Sequence, residues 1–155
     1  MIISVMDTTH LARDIIAANR YLTLATADAD GLPWSSPVYF SPGAPGEFLW
    51  VSRPEADHSR NIAVRPAVSL TIFDSHQEPG TGQGLYVRAH AALADPERVE
   101  DYSRGSLRWG LRPWSLSDVT GDAPFRLYLA RASEAWVLDS VHDPRGDFRT
   151  PVTLG

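Results

Sequence analysis

In the stretch DHSRNIAVRPAVSL, residues 57–70, a histidine, a serine and an arginine stand in succession just ahead of an apolar run. The placing of Ile62 and its neighbours predicts a short helix. Pro66 must end it, because proline disfavours helical backbone in the residue before it. The first turn of a helix carries backbone N–H groups without intrahelical acceptors and a partial positive charge, so a phosphate can dock there. His58, Ser59 and Arg60 would add side-chain donors, each charge-assisted hydrogen bond contributing ~1.5 to 3 kcal/mol. The same residues also suit a plain surface helix, capped by Asp57 and with Arg60 in water. Read alone, the segment leaves both descriptions open. A nucleophilic triad is set aside: Asp57, His58 and Ser59 are its ingredients, but consecutive residues on a helix splay apart and cannot form the relay.

The rest of the chemistry is narrowed by what the chain lacks. Cysteine is absent, which removes thiol nucleophiles, disulfides and cysteine-ligated metals. Lysine is absent too, so all 14 basic residues are arginine and no Schiff base can form. His10, His58, His76, His90 and His142 show no HxH, HxxxH or HExxH spacing, and no metal site is expected. The glycine-rich GTGQG, residues 80–84, leads into a strand rather than opening a helix, so it reads as a loop and not a dinucleotide fingerprint. Gln83 within it remains a plausible donor to a ligand. Five tryptophans are many for this length. They suit either a dimer seam or planar ligand, or, for Trp34, Trp50 and Trp136, the ends of a barrel core.

The elements that must position these residues are short. A chain of 155 residues with 43% hydrophobic content is expected to form a single domain over 1–155. Its net charge of -5 argues against nucleic acid as a partner. No run of 18 apolar residues and no basic, apolar leader is present, so neither a membrane span nor a secretory signal is expected, and the location is read as cytoplasmic.

Asp7 or Thr8 can cap an N-terminal helix with Leu11 and Ile15 on one face, ending near Asn19. Then come two strands, from Tyr21 and up to Phe40, joined by the turn Asp28–Gly31. GAPG, residues 43–46, turns the chain into EFLWVS, ending at Ser52. After the polar-tipped helix, AVSLTIFD (67–74) is apolar enough for a strand buried on both faces. LYVRAHAALAD (85–95) is a further strand, and Asp95 caps a helix with Pro96 at its first position. Residues 106–123 read as irregular or briefly helical. FRLYLARASEAWVLDS (125–140) supplies a sixth and possible seventh strand, hinged near 132–134. Brief helices and hairpin-linked strands predict a mainly β, six- to seven-stranded antiparallel barrel, closed or nearly so.

With this order of elements, the chain resembles the pyridoxamine 5'-phosphate oxidase-like, FMN-binding split-barrel superfamily. Arg60, Asn61, Ile62, Pro66, Val68, Ser69 and Leu70 match one family pattern; Gly31, Pro33, Ser36, Pro37 and Val38 match a second. The resemblance covers residues 10–95 well and the final strands more loosely. It implies a split β-barrel of Greek-key type that pairs as a homodimer, with FMN in a groove at the interface. Carried over, it sets Ser35, Ser36 and Val38 along the flavin ring and ribityl chain, and Trp50, Val51 and Ser52 beneath it. Arg53, His58, Ser59 and Arg60 become the phosphate ligands, Gln83 lies near the pyrimidine edge, and Trp136 approaches from a second subunit.

Family members often carry lysine or arginine where this chain has His58, which makes the charge there depend on pH, with FMN affinity weakening above neutrality. The arginine-rich C-terminal segment of the vitamin B6 oxidases is not recognisable after Trp136, although Arg145 and Arg149 are nearby, so that substrate is not expected. The implied activity is hydride transfer between FMN and a small organic substrate, with no catalytic side chain named. The alternatives are a reductase using the related deazaflavin coenzyme, with Arg53, Arg60 and Arg65 for its longer acidic tail, and a barrel that binds flavin or another planar ligand without turnover.

Overall fold

The computed structural model describes residues 5–155, with side chains from Thr8 onward. Helix α1 spans Val5–Ala18. It begins ahead of both expected caps, because Thr8 belongs to the buried stripe with Ala12 and Ile15 that packs on the sheet. Strands β1 (Tyr21–Ala27) and β2 (Pro33–Tyr39) form the expected hairpin, with Tyr21 opposite Tyr39 and Ala27 opposite Pro33. The Asp28 carboxylate accepts from the Asp30 and Leu32 amides, and Gly31 takes φ +85°, a conformation glycine adopts without strain.

The chain continues through β3 (Ser41–Pro42), β4 (Glu47–Ser52), α2 (Asp57–Val64), β5 (Ala67–Phe73), β6 (Gln83–Leu93), α3 (Val99–Arg108), β7 (Arg126–Asp139) and β8 (Arg149–Val152). The strands form one eight-stranded antiparallel sheet in the order β2-β1-β5-β6-β7-β4-β3, with β8 also on β7. This is a mainly antiparallel sheet, as the sequence predicts, curled into a half-barrel rather than closed, with one strand more than expected.

β5 departs from the expectation. It alternates, with Val68, Leu70 and Ile72 inward and Ala67, Ser69 and Phe73 exposed, so one face only is buried. The strand covered on both sides is β4. Phe48 and Trp50 enter the main core, while Leu49 joins Val99, Tyr102, Val119 and Leu127 in a second core under α3 and the 110–125 segment. Asp95 caps as expected, accepting from the Glu97 amide, but the helix opens as a 3-10 turn before α3.

The hinge expected near 132–134 is a bulge in one long strand. Arg88 faces Glu134 and Ala89 faces Ala132, leaving Ser133 unpaired. Before the bulge β7 pairs with β4; beyond it, with β8.

Candidate functional site

Helix α2 is held at the end of the barrel by both its neighbours. Ile62 anchors it in the core. Asn61 Nδ2 donates to Thr26 Oγ1 on β1 at 3.0 Å, and the Arg65 guanidinium donates to the Asp28 and Ala29 carbonyls in the first hairpin turn at 3.0 and 3.1 Å. These bonds tie the helix to the β1–β2 turn.

Its N-terminus is bare. The capping residue is Ala56, not Asp57, and no side chain caps it. The first amide to close the helix is that of Arg60, donating to the Ala56 carbonyl at 3.0 Å. The Asp57, His58 and Ser59 amides thus remain as donors. Asp57 is instead the first helical residue, a carboxylate beside the positive end of the helix dipole.

Around this tip the candidate residues fall into two groups. Ser52, at the end of β4, lies 2.7 Å from His58 Nε2 through its Oγ. Burial lowers the His58 pKa below the usual histidine value, opposed by the Asp57 carboxylate, which raises it. Ser59 is 3% exposed, and its Oγ is a buried hydroxyl without a hydrogen-bond partner. Arg60 is exposed and Arg53 lies with its Cζ 5.1 Å from the Phe125 ring centroid. Neither guanidinium forms an ion pair with a carboxylate among the described residues. The structure therefore gathers Ser52, Arg53, His58, Ser59 and Arg60 at one corner.

The strand residues are oriented differently from one another. On β2, Ser35 is exposed while Ser36 and Val38 point inward. Trp50 has no exposed surface and stacks on Tyr128 at 6.0 Å and 9°, and Val51 is half-buried. Ser36, Val38 and Trp50 all turn their side chains inward, Val38 and Trp50 into the main core, and Trp50 has no surface left open on either face of β4. Trp50 and Phe48 share the inward parity of β4, which makes Trp50 a core residue as the second reading of the tryptophans had it.

Gln83 and Trp136 stand apart from this corner. Ser52 pairs with Arg126 at the start of β7, and Trp136 is ten residues further along that strand, ~30 Å at the rise of a β-strand. Gln83 donates from Nε2 to Asp139 Oδ1 at 2.9 Å, and the His142 ring reaches the same carboxylate. Trp136 lies under Arg88 and Arg149, at 5.4 and 5.7 Å from its ring. Within one chain the two groups do not meet; one ligand touching both requires two chains.

The Ser52–His58 and Asn61–Thr26 bonds were not legible in the sequence. Each joins residues on different elements, and only the angle between β4 and α2 brings the first pair into reach. The stacking of Arg149, on β8, over Trp136 follows from the pairing of β8 with β7 and has no local sequence signal.

The family profile of pyridoxamine 5'-phosphate oxidase matches residues 8–139. No curated protein sequence matches the chain. Among solved structures, a heme binding protein from Mycobacterium smegmatis is similar with TM-score 0.72 and 19% identity over 99% of this chain and 59% of that one. HutZ, the heme storage protein from Vibrio cholerae, is similar with TM-score 0.63 and 20% identity over 83% and 91%. A putative pyridoxamine 5'-phosphate oxidase from Listeria innocua has TM-score 0.63 and 16% identity over 84% and 97%. These likenesses are of fold. With the profile spanning most of the chain and the same half-barrel throughout, this protein belongs to the pyridoxamine 5'-phosphate oxidase family.

Proposed function

We propose that this protein is an FMN-dependent oxidoreductase acting on a small organic substrate, with the FMN phosphate held at the N-terminal tip of α2. The observation that carries this reading is the Ser59 hydroxyl, buried and unpartnered at a helix terminus that no side chain caps. A buried polar group without a partner costs about 1 to 3 kcal/mol. A phosphate oxygen at the tip supplies the acceptor that this hydroxyl and the first-turn amides lack. Arg60 and Arg53, without a carboxylate partner among the described residues, supply the charge.

Bound in this way, FMN would supply the hydride chemistry through its ring system. The chain's own residues bind and orient. Ser52 fixes the His58 ring through Nε2, leaving Nδ1 for a ligand. In the free protein burial favours the neutral imidazole, and a phosphate dianion beside it favours the protonated form. Ser35 and the exposed backbone edge of β2 are the surface on which a flavin could lie. Trp136 and Gln83 complete the groove from a second copy of the chain, so the functional unit in this reading is a homodimer.

Titration of the purified protein with FMN, followed by quenching of flavin fluorescence, tests the proposal. Wild-type protein should saturate, and the Ser59→Ala/Arg60→Ala double variant should lose most of that binding while remaining folded. Equal affinity in the variant, or binding of hemin with no binding of FMN, would overturn it. Hemin is the control because two structural neighbours are named for heme.

A further inference from the structure

A separate cleft opens at the other end of β4. Glu47, at the start of that strand, is five residues from Ser52, ~17 Å along a strand. The cleft has a volume of about 280 Å³ and runs between one flank of α1 and the turn ahead of β4, just under the ~300 Å³ lower limit usual for ligand sites. Ile16, Pro45, Phe48 and Leu154 give it apolar walls. Arg13 and Arg108 also line it.

The charges of this cleft do not cancel. Glu47 is the acidic residue in its lining, and its carboxylate is spent. It takes hydrogen bonds from the Arg98 guanidinium at 2.7 Å and the Ala44 amide at 3.0 Å, and pairs with Arg131 at 3.3 Å. Arg13 has no ion pair among the described residues. Arg108 donates one N–H to the Ala17 carbonyl at 2.7 Å, closing the end of α1, and keeps its remaining donors. Two guanidiniums that pair with no carboxylate among the described residues therefore line a largely apolar hollow with room for a short acyl chain or a single ring.

We propose that this cleft is a second binding site, taking a small apolar carboxylate whose tail fills the hollow and whose head pairs with Arg13 and Arg108. The proposal is independent of FMN, since the cleft shares no residue with the α2 corner. It predicts discrimination by head group, because an uncharged ligand of the same shape gains the apolar contacts alone.

Octanoate and octanol, titrated into the full chain and followed by the methyl NMR signals of Ile16 and Leu154, are the probes. Octanoate should shift both methyl groups saturably and bind at least about tenfold more tightly than octanol, one charge-assisted contact at 1.4 kcal/mol per decade. Arg13→Gln with Arg108→Gln should abolish that preference, and Ile16→Trp should abolish binding of both probes. Arg13→Gln alone, which leaves the Arg108–Ala17 bond in place, decides the matter if the double variant does not fold. Equal affinity for the two probes, shifts that never saturate, or a preference that survives loss of the arginines would overturn the proposal.

Discussion

At the scale of single residues, the α2 corner carries a cost in stability that the proposed phosphate would relieve. Ser59→Ala removes a buried hydroxyl that has no partner, so the free protein should be more stable than wild type by about 1 to 3 kcal/mol, while FMN binding weakens. Thermal unfolding with and without FMN separates the two effects; a loss of stability in the free protein would show that the hydroxyl is satisfied. Asp57 places a carboxylate on the same first turn. Because Asp57 also raises the His58 pKa, the comparison is made well above neutrality, where the imidazole is neutral: there Asp57→Asn should tighten FMN binding by about two- to fivefold for an exposed charge, and weaker binding would mean that Asp57 contacts the ligand as an acceptor.

His58 supplies the pH dependence. Its folded pKa is lowered by burial, so the unfolded chain, titrating near the usual ~6.5, takes up the proton first as pH falls. The stability due to neutral His58 is present above that value and is lost as pH drops toward the folded pKa. His58→Gln should flatten the stability profile just below about pH 6.5, measured by urea unfolding across pH. Binding runs the opposite way. The phosphate favours the imidazolium, so FMN affinity should fall as pH rises through neutrality, and this dependence should vanish in His58→Gln.

At the scale of elements, α3 is fixed by contact more than by its own propensity. Gly105 lies in its interior, where alanine ordinarily adds about 1 kcal/mol of helix stability. A Cβ there would fall on the Ser41 side chain, whose hydroxyl donates to the Tyr102 carbonyl at 3.0 Å. Gly105→Ala should therefore cost about 1 to 3 kcal/mol by overpacking. Chemical denaturation checks this, and a stabilised variant would show that α3 can shift away from β3.

The same contrast marks what the sequence made legible. The β1–β2 hairpin, α2 and its stop at Pro66 follow from turn chemistry and proline geometry, which act over a few residues. The one-sided burial of β5 and the two-sided burial of β4 do not, because they depend on α3 and the 110–125 segment covering the outer face of β4 from far along the chain. At the site, the polar tip could be read from His58, Ser59 and Arg60 in succession. The inward pleat of Val38 and Trp50, and the pairing of Ser52 with His58, depend on register and on the angle between elements.

At the scale of the whole molecule, the barrel separates the α2 corner from Trp136 and Gln83 by about 30 Å along β7. One flavin touching both requires two chains related so that each contributes a different end. Mixing Arg60→Ala chains with Trp136→Ala chains should therefore restore about a quarter of the wild-type sites, because a mixed dimer carries one intact site and one doubly altered site. No restoration after exchange would confine the site to a single chain. Among the described residues no helix is long and apolar enough to cross a membrane.

The phosphate anchor itself is tested most directly by comparing FMN with riboflavin, which has the same ring and side chain but no phosphate. The wild-type protein should bind FMN about two orders of magnitude more tightly, the worth of two charge-assisted hydrogen bonds, and the Ser59→Ala/Arg60→Ala variant should bind the two alike. Equal affinity of the wild-type protein for FMN and riboflavin would contradict the account.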